Sequence, residues 1–182
     1  ASTGGATGVR ALIPSAVTLG SVVCASSAAM ALVAAPRSAP RDVVVGVLLG
    51  LAMLCDRFDG YIARKLDATS ETGAQLDSLA DALAFGVLPA LWVVGRFDAD
   101  AFVAVAAVAY VVCAVVRLAR FHSVGLCDGP FGPSFRGMPT PAAAALVLVV
   151  VAGDAFFSVG GVGAHGVVEG SALLVAAAWM VS

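Results

Sequence analysis

The chain has 182 residues, of which 60% are hydrophobic and 12% are charged. Soluble domains usually carry about a quarter charged residues, so the composition excludes an ordinary soluble protein and indicates a surface that faces lipid. The net charge of −2 argues against a basic surface for nucleic acid, and no nucleic-acid partner is expected. The four cysteines lack CxxC spacing, which disfavours a zinc site or a redox motif.

The first two apolar segments differ in the charge that they carry. A spanning helix needs about 20 mostly apolar residues, and Ala11 to Ala35 meets this without any charged residue. Asp42 is expected to cap the second helix. The apolar part of that helix, Val43 to Cys55, is too short to span alone. The second helix can therefore cross a membrane only if it continues through Asp56 and Asp59.

The third segment also depends on acidic residues for its length. Its apolar part runs from Ala82 to Gly95, and it spans only if the helix begins near Gly73 and includes Asp77 and Asp81. Ionised groups at this depth are costly and normally face a cavity inside the protein. Two neighbouring helices are thus predicted to bring carboxylates into a polar cavity below the lipid headgroups.

The rest of the chain predicts three more helices, separated by polar segments. Arg96 to Asp100 is a tight polar loop, and Ser123 to Arg136 is a loop that contains glycine and proline. The predicted helices are Ala101 to about Phe121, Gly137 or Met138 to about Gly153, and roughly Val167 to Ser182. His122, Asp154 and His165 are isolated and receive no role. We therefore expect an all-α integral membrane protein with six transmembrane helices.

The basic residues predict an orientation in the membrane. If the N-terminus is cytoplasmic, one side carries Arg10, Arg57, Arg64, Lys65, Arg117, Arg120 and Arg136, and the other carries Arg37, Arg41 and Arg96. By the positive-inside rule, this split of seven to three puts the aspartate-bearing helix ends on the cytoplasmic side. We expect residues 1–182 to form one membrane-embedded catalytic domain, truncated at its C-terminus.

The spacing of four aspartates predicts a cation site. Asp56 and Asp59 are three residues apart and Asp77 and Asp81 are four apart, so each pair shares one helix face. Carboxylates that face each other across a hairpin repel unless a cation intervenes or some are protonated. Oxygen ligands favour Mg²⁺, Mn²⁺ or Ca²⁺, and Mg²⁺ often completes its shell with phosphates. Snorkelling side chains at the interface and a proton or cation pathway remain alternatives.

The segment from Asp56 to Asp81 fits the pattern D-x2-D-G-x2-A-R-x8-G-x3-D-x3-D at all eight fixed positions. It resembles the signature of the CDP-alcohol phosphatidyltransferase family, and the six-helix layout also resembles that family's fold. The resemblance implies that Asp56, Asp59 and Asp77 bind metal, and that Asp81 helps to bind metal and is the general base. It implies contacts with the nucleotide and diphosphate by Gly60, Ala63, Arg64, Gly73 and, on the first helix, Thr18. A homodimer is also implied.

Other stretches resemble the bacterial and archaeal phosphatidylserine synthases within this family. They are Gln75 to Ala90, Arg117 to Phe121, and Gly137 to Ala143; Ser15 and Ser21 stand where that subfamily often has asparagine. The resemblance implies transfer of a phosphatidyl group from CDP-diacylglycerol to L-serine, giving phosphatidylserine and CMP. It implies a bacterial or archaeal cytoplasmic membrane, with membrane lipids around the chain and the active site facing the cytoplasm.

Three arginines are candidates for binding the acceptor alcohol. A serine carboxylate requires a cationic partner, and we hypothesise that at least one of Arg117, Arg120 and Arg136 supplies it. Positive-inside anchoring is the alternative role for these residues. Arginines would also suit another acceptor, such as glycerol 3-phosphate or an inositol phosphate. A cation transporter that uses the same carboxylates is a more distant alternative.

Overall fold

A computed structural model describes the backbone of residues 4–66, 71–97, 100–124, 127–129, 132–134, 138–157 and 165–182. It describes side chains for residues 16–62, 65, 72–97, 100–120, 138–154 and 166–182. Statements below about structure refer to these ranges. Predictions on the side chains of Ala63 and Arg64, and on Arg136, lie outside them.

The chain is built almost entirely from helices. These are α1 Gly4–Ala34, α2 Ala39–Leu66, α3 Glu71–Asp81, a π-helical turn Ala82–Val87, α4 Leu88–Val94, α5 Ala101–Val124, α6 Thr140–Phe157 and α7 His165–Val181. The predicted all-α class is confirmed, with one addition. The segment predicted as a loop contains a short antiparallel pair, β1 Cys127–Gly129 and β2 Gly132–Ser134, in which Cys127 lies opposite Ser134.

Three stretches of helix are long and apolar enough to cross a membrane: Ala16–Ala34, Thr72–Val94 and Ala101–Arg120. Two further apolar helices, Thr140–Asp154 and Gly166–Val181, are shorter. The α2 helix has 28 residues and is therefore about 42 Å long, but its charged residues keep it outside the apolar set. The prediction of six transmembrane helices therefore stays a prediction. Within the described residues, length and composition support three of them.

The second and third predicted helices begin differently from expectation. Because α2 starts at Ala39, Asp42 lies inside its first turn, and the prediction that Asp42 caps this helix is wrong. The capping position falls to Ser38, whose hydroxyl oxygen accepts a long hydrogen bond of 3.4 Å from the Arg41 backbone N–H. The third predicted span is not one regular helix, since a π-helical turn separates α3 from α4.

The π-helical turn follows from Pro89. In a regular α-helix the Phe85 carbonyl would accept a hydrogen bond from residue 89, but proline has no N–H. The buried Tyr110 hydroxyl on α5 donates to that carbonyl at 2.8 Å. Gly86 lies where the turn faces α5, and a Cβ there would be in van der Waals contact with the Cβ of Ala114, at 3.4 Å. These contacts fix the third span against α5 and thereby fix the direction of α3.

The helices pack as α1 against α2 and α5 against α7, with the third span in contact with both pairs. Large side chains that are fully buried include Trp92, Tyr110, Phe85, Leu49, Leu88 and Leu173. Many aliphatic side chains point outward instead, and Val33 is 85% exposed. An exposed apolar surface of this extent is unusual for a soluble monomer and matches a protein surrounded by lipid.

A buried charge network joins four helices at one end of the bundle. Arg96, just after α4, forms ion pairs with Asp42 on α2, with Asp154 on α6 at 2.9 Å and with Glu169 on α7 at 2.9 Å. The Trp92 indole N–H also donates to Asp42 at 3.2 Å. Asp154, which had no role from the sequence, and Arg96, which was read as a loop residue, therefore belong to one structural network.

Candidate active site

Three aspartates from two helices converge at the other end of the bundle. Asp56 and Asp59 lie near the end of α2, and Asp77 lies in the middle of α3. Each offers one carboxylate oxygen, and these three oxygens lie within 4.8 Å of one another. Asp59 is 4% exposed, while the other two are half-buried. Three of the four aspartates that were predicted to meet across a helical hairpin therefore converge in the structure.

Helix periodicity explains which side chains meet. Residues three or four apart lie on one face of a helix, so Asp56 and Asp59 both face α3. The third span is held in place by its contacts to α5, described above, and this orients Asp77 towards α2. Local spacing and long-range packing together make the three-carboxylate cluster, by which we mean Asp56, Asp59 and Asp77.

Asp81 lies beside the three-carboxylate cluster. Its carboxyl group is within reach of a side-chain hydrogen bond with Asp56, and it is the last residue before the π-helical turn. The guanidinium of Arg117 on α5 is close enough to Asp81 for the two charges to interact. Asp81 is therefore near both the cluster and a cationic side chain from another helix.

The α1 helix contributes a hydroxyl group to the cluster. Thr18 Oγ1 donates a hydrogen bond to Asp59 Oδ2 at 2.7 Å, across 41 residues of sequence. Ser21 Oγ in turn donates to the Thr18 carbonyl oxygen at 2.8 Å. The sequence predicted Thr18 as a nucleotide contact, and the structure places its hydroxyl on a cluster carboxylate.

The other predicted binding residues that the structure describes in full are two glycines and two arginines. Gly60 follows Asp59 within α2, and Gly73 lies in the first turn of α3, so both belong to the helices of the cluster. Arg117 is half-buried, and its Nε is buried without a hydrogen-bond partner among the described residues. Arg120 is exposed, so these two candidate arginines differ in their surroundings.

An apolar groove lies between the third span and α5. Its volume is about 410 Å³, and its walls include Ala82 from the span and Leu118 from α5, which neighbour Asp81 and Arg117 in sequence. Gln75 and Ser78 supply its polar lining. A groove of this kind can hold an apolar chain.

The donor set of the three-carboxylate cluster fits a divalent cation. Hard cations such as Mg²⁺ and Ca²⁺ take oxygen ligands, of which carboxylates are the commonest charged kind. Carboxylates this close repel one another strongly, and a cation among them relieves the repulsion. The cluster can therefore hold a metal ion, as the spacing predicted.

The fold and the cluster define a helical membrane protein whose helices carry a carboxylate cluster that can hold a divalent cation. The family model for CDP-alcohol phosphatidyltransferase matches residues 11–181. Because this match covers nearly the whole chain, the protein belongs to the CDP-alcohol phosphatidyltransferase family, as the signature indicated.

Curated relatives carry a more specific name. The chain is 36% identical over 101 residues to the CDP-diacylglycerol–serine O-phosphatidyltransferase of Methanocaldococcus jannaschii, which covers 56% of this chain and 47% of that protein. It is 38% identical over 157 residues to the enzyme of that name from Mycobacterium bovis, covering 78% and 49%. For the Bacillus subtilis protein of the same name, identity is 32% over 140 residues, covering 76% and 74%. The chain thus spans about half the length of the first two relatives.

Proposed function

We propose that this protein transfers a phosphatidyl group from CDP-diacylglycerol to L-serine, giving phosphatidylserine and CMP. The observation that carries the proposal is the convergence of Asp56, Asp59 and Asp77 within 4.8 Å in a chain of the CDP-alcohol phosphatidyltransferase family. The serine acceptor is supported by the relatives named CDP-diacylglycerol–serine O-phosphatidyltransferase, from bacteria and an archaeon.

The donor lipid suits the polar and apolar parts of the site. Mg²⁺ or Mn²⁺ held by Asp56, Asp59 and Asp77, with Asp81 beside them, would offset the negative charge of the diphosphate. Gly60, Ala63, Arg64 and Gly73 belong to the signature that implies nucleotide and diphosphate contacts. The apolar groove lined by Ala82 and Leu118 is suited to an acyl chain of the lipid. We infer that the donor enters sideways from the membrane.

Asp81 is proposed as the general base. Its carboxylate accepts the hydroxyl proton of serine, and the serine oxygen forms a bond to the phosphorus attached to diacylglycerol. The bond between that phosphorus and the CMP oxygen breaks, and CMP leaves with the electron pair. The position of Asp81, beside Asp56 but outside the group of three oxygens within 4.8 Å, supports a role in proton transfer.

Arg117 is the strongest candidate for holding the serine carboxylate. Its guanidinium interacts with Asp81, and its buried Nε is left without a hydrogen-bond partner among the described side chains. A substrate carboxylate bound there would supply the acceptor that this donor lacks and would place the serine hydroxyl near the base. Arg120 and Arg136 are kept as secondary candidates.

The proposed setting is a bacterial or archaeal cytoplasmic membrane, with the aspartates on the cytoplasmic side. The support is the excess of basic residues at the helix ends on the side of Asp56 and Asp59. The family resemblance alone supports a homodimer. Cross-linking in native membranes, together with the accessibility of an engineered cysteine on each side, tests both points.

The proposed activity is tested by measuring CMP release from CDP-diacylglycerol with serine, glycerol 3-phosphate or an inositol phosphate as acceptor. We expect release with serine, in Mg²⁺ or Mn²⁺ but not in excess chelator. Asp77→Asn should lower turnover at least 100-fold, since the cluster loses one charged ligand. Asp100→Asn is the matched control, because Asp100 is exposed and caps the start of α5, where it accepts the Phe102 N–H at 2.9 Å. Full turnover by Asp77→Asn, or turnover in chelator, would contradict the proposal, and release only with another acceptor would replace serine.

A further inference from the structure

The Thr18 hydroxyl donates a hydrogen bond to a carboxylate of the three-carboxylate cluster, that of Asp59. Thr18 and Asp59 are 5% and 4% exposed, and Oγ1 of the first lies 2.7 Å from Oδ2 of the second. A threonine hydroxyl has a single proton to donate and two lone pairs. Since that proton points to Asp59, the hydroxyl can offer a bound nucleotide only an acceptor. Its geometry thus favours a role towards the carboxylate over a role towards cytidine.

The surroundings of Thr18 make this donor rigid. A β-branched side chain has few χ1 rotamers in a helix, and Thr18 lies within α1, which packs along α2. Ser21, 2% exposed, donates to the Thr18 carbonyl oxygen. Such bonds from a serine to a carbonyl of the preceding turn can bend a helix locally. The burial of Thr18 and the packing of α1 along α2 therefore limit the positions that the hydroxyl can take before any ligand binds.

A rigid donor on one oxygen restricts how a carboxylate can rotate. Asp59 lies among three carboxylates that converge within 4.8 Å, so the rotation of its side chain decides how well an oxygen is presented to a cation. Hydrogen bonds to metal-ligating side chains fix their orientation, and removing them typically costs 10- to 100-fold in metal affinity. From these contacts we propose that Thr18 is a positioning residue that holds Asp59 for divalent-cation binding, an inference that rests on the proposed function of the cluster.

The test is Mn²⁺ binding to the purified full chain in detergent, without substrate, measured by the electron paramagnetic resonance signal of free Mn²⁺. Thr18→Val keeps the shape and removes the donor, so we expect Mn²⁺ affinity to fall about 10-fold or more. Thr18→Ser keeps the donor and should stay within about 3-fold of the unaltered protein. Ser27→Ala, which removes an exposed hydroxyl on the same helix, is the matched control and should change nothing.

A kinetic measurement separates positioning from nucleotide binding. Thr18→Val should raise the Mn²⁺ concentration needed for half-maximal CMP release by a similar factor, with the KM for CDP-diacylglycerol at saturating Mn²⁺ almost unchanged. Unaltered Mn²⁺ affinity in Thr18→Val, or a rise confined to the KM for the lipid, would overturn the inference. If Thr18→Val does not yield a monodisperse protein, Thr18→Ala removes the same donor without added bulk and is compared with Thr18→Ser.

Failure of the inference is distinguishable from failure of the proposed function. If the unaltered protein binds Mn²⁺ and releases CMP while Thr18→Val binds Mn²⁺ equally well, only the role of Thr18 is refuted. If the unaltered protein neither binds Mn²⁺ nor releases CMP, the proposed function itself fails, and the role of Thr18 fails with it.

Discussion

The charge network around Arg96 makes a quantitative prediction about stability. The Arg96 side chain is 15% exposed, and its three carboxylate partners, Asp42, Asp154 and Glu169, are 12%, 10% and 0% exposed. Arg96→Met retains most of the side-chain volume but removes the cation that these carboxylates share. In this variant Asp42 keeps its ion pair with Arg41, at 3.2 Å. Asp154 and Glu169 lose their ion pairs with residue 96.

The expected loss of unfolding free energy in Arg96→Met is large compared with the stability of an ordinary protein. Removing one partner of a buried ion pair costs about 3–5 kcal/mol, against a total of roughly 5–15 kcal/mol. For a chain of 150–250 residues, 1 kcal/mol shifts the melting temperature by about 2–4 °C. Arg96→Met should therefore lower the melting temperature by roughly 6–20 °C, because three buried carboxylates lose the same counter-ion.

The assay is thermal unfolding in detergent, with Arg37→Met as the control. Arg37 donates a hydrogen bond to the Gly95 backbone carbonyl at 2.9 Å, but its side chain is exposed. Its loss should therefore lower the free energy of unfolding by less than about 1 kcal/mol. Adding Glu169→Leu to Arg96→Met removes a buried charge along with its partner and should recover part of the loss. If Arg96→Met melts within 2 °C of the unaltered protein, the network is not stabilising in the way its geometry indicates.

Two further predictions concern helix contacts. Tyr110→Phe leaves the Phe85 carbonyl without the 2.8 Å hydrogen bond that it accepts from the tyrosine hydroxyl, and should cost about 1–3 kcal/mol in the same unfolding assay; an unchanged melting temperature would contradict this. Gly170→Leu should cost about 1–3 kcal/mol by overpacking, because even a Cβ at residue 170 would lie 2.6 Å from the Phe102 ring. Phe102→Ala in the same chain should recover stability, and no recovery would refute the steric explanation.

The helices that carry the three-carboxylate cluster were predictable because their pattern is local. The apolar parts of α2 and the third span are too short to cross a membrane, so both helices had to include aspartates. Spacings of three and four residues then put each aspartate pair on one helix face. The signature from Asp56 to Asp81 then identified the family, which the match over residues 11–181 confirms. Nothing beyond helix periodicity and membrane thickness was needed to predict that Asp56, Asp59 and Asp77 meet.

Contacts between distant helices were not predictable in the same way. The ion pairs of Arg96 with Asp42 and Asp154 join residues 54 and 58 positions apart, and neither pair has a spacing rule. Sequence alone makes Arg96 a topology signal and Asp42 a helix cap, since both predictions follow from neighbouring residues. The packing of α2, α6 and α7 around the end of α4 brings Arg96 and Asp42 into one buried charge network instead.

The two ends of the bundle treat buried carboxylates in chemically different ways. At one end two permanent cations, Arg96 and Arg41, form ion pairs with the carboxylates of Asp42, Asp154 and Glu169, so the chain itself supplies the counter-ions. At the other end Asp59 receives its 2.7 Å hydrogen bond from Thr18. A hydroxyl orients a carboxylate without cancelling its charge, so the negative charge of Asp59 stays available to an added cation. The first arrangement suits a structural tie between helices, and the second suits a site that can hold an added cation.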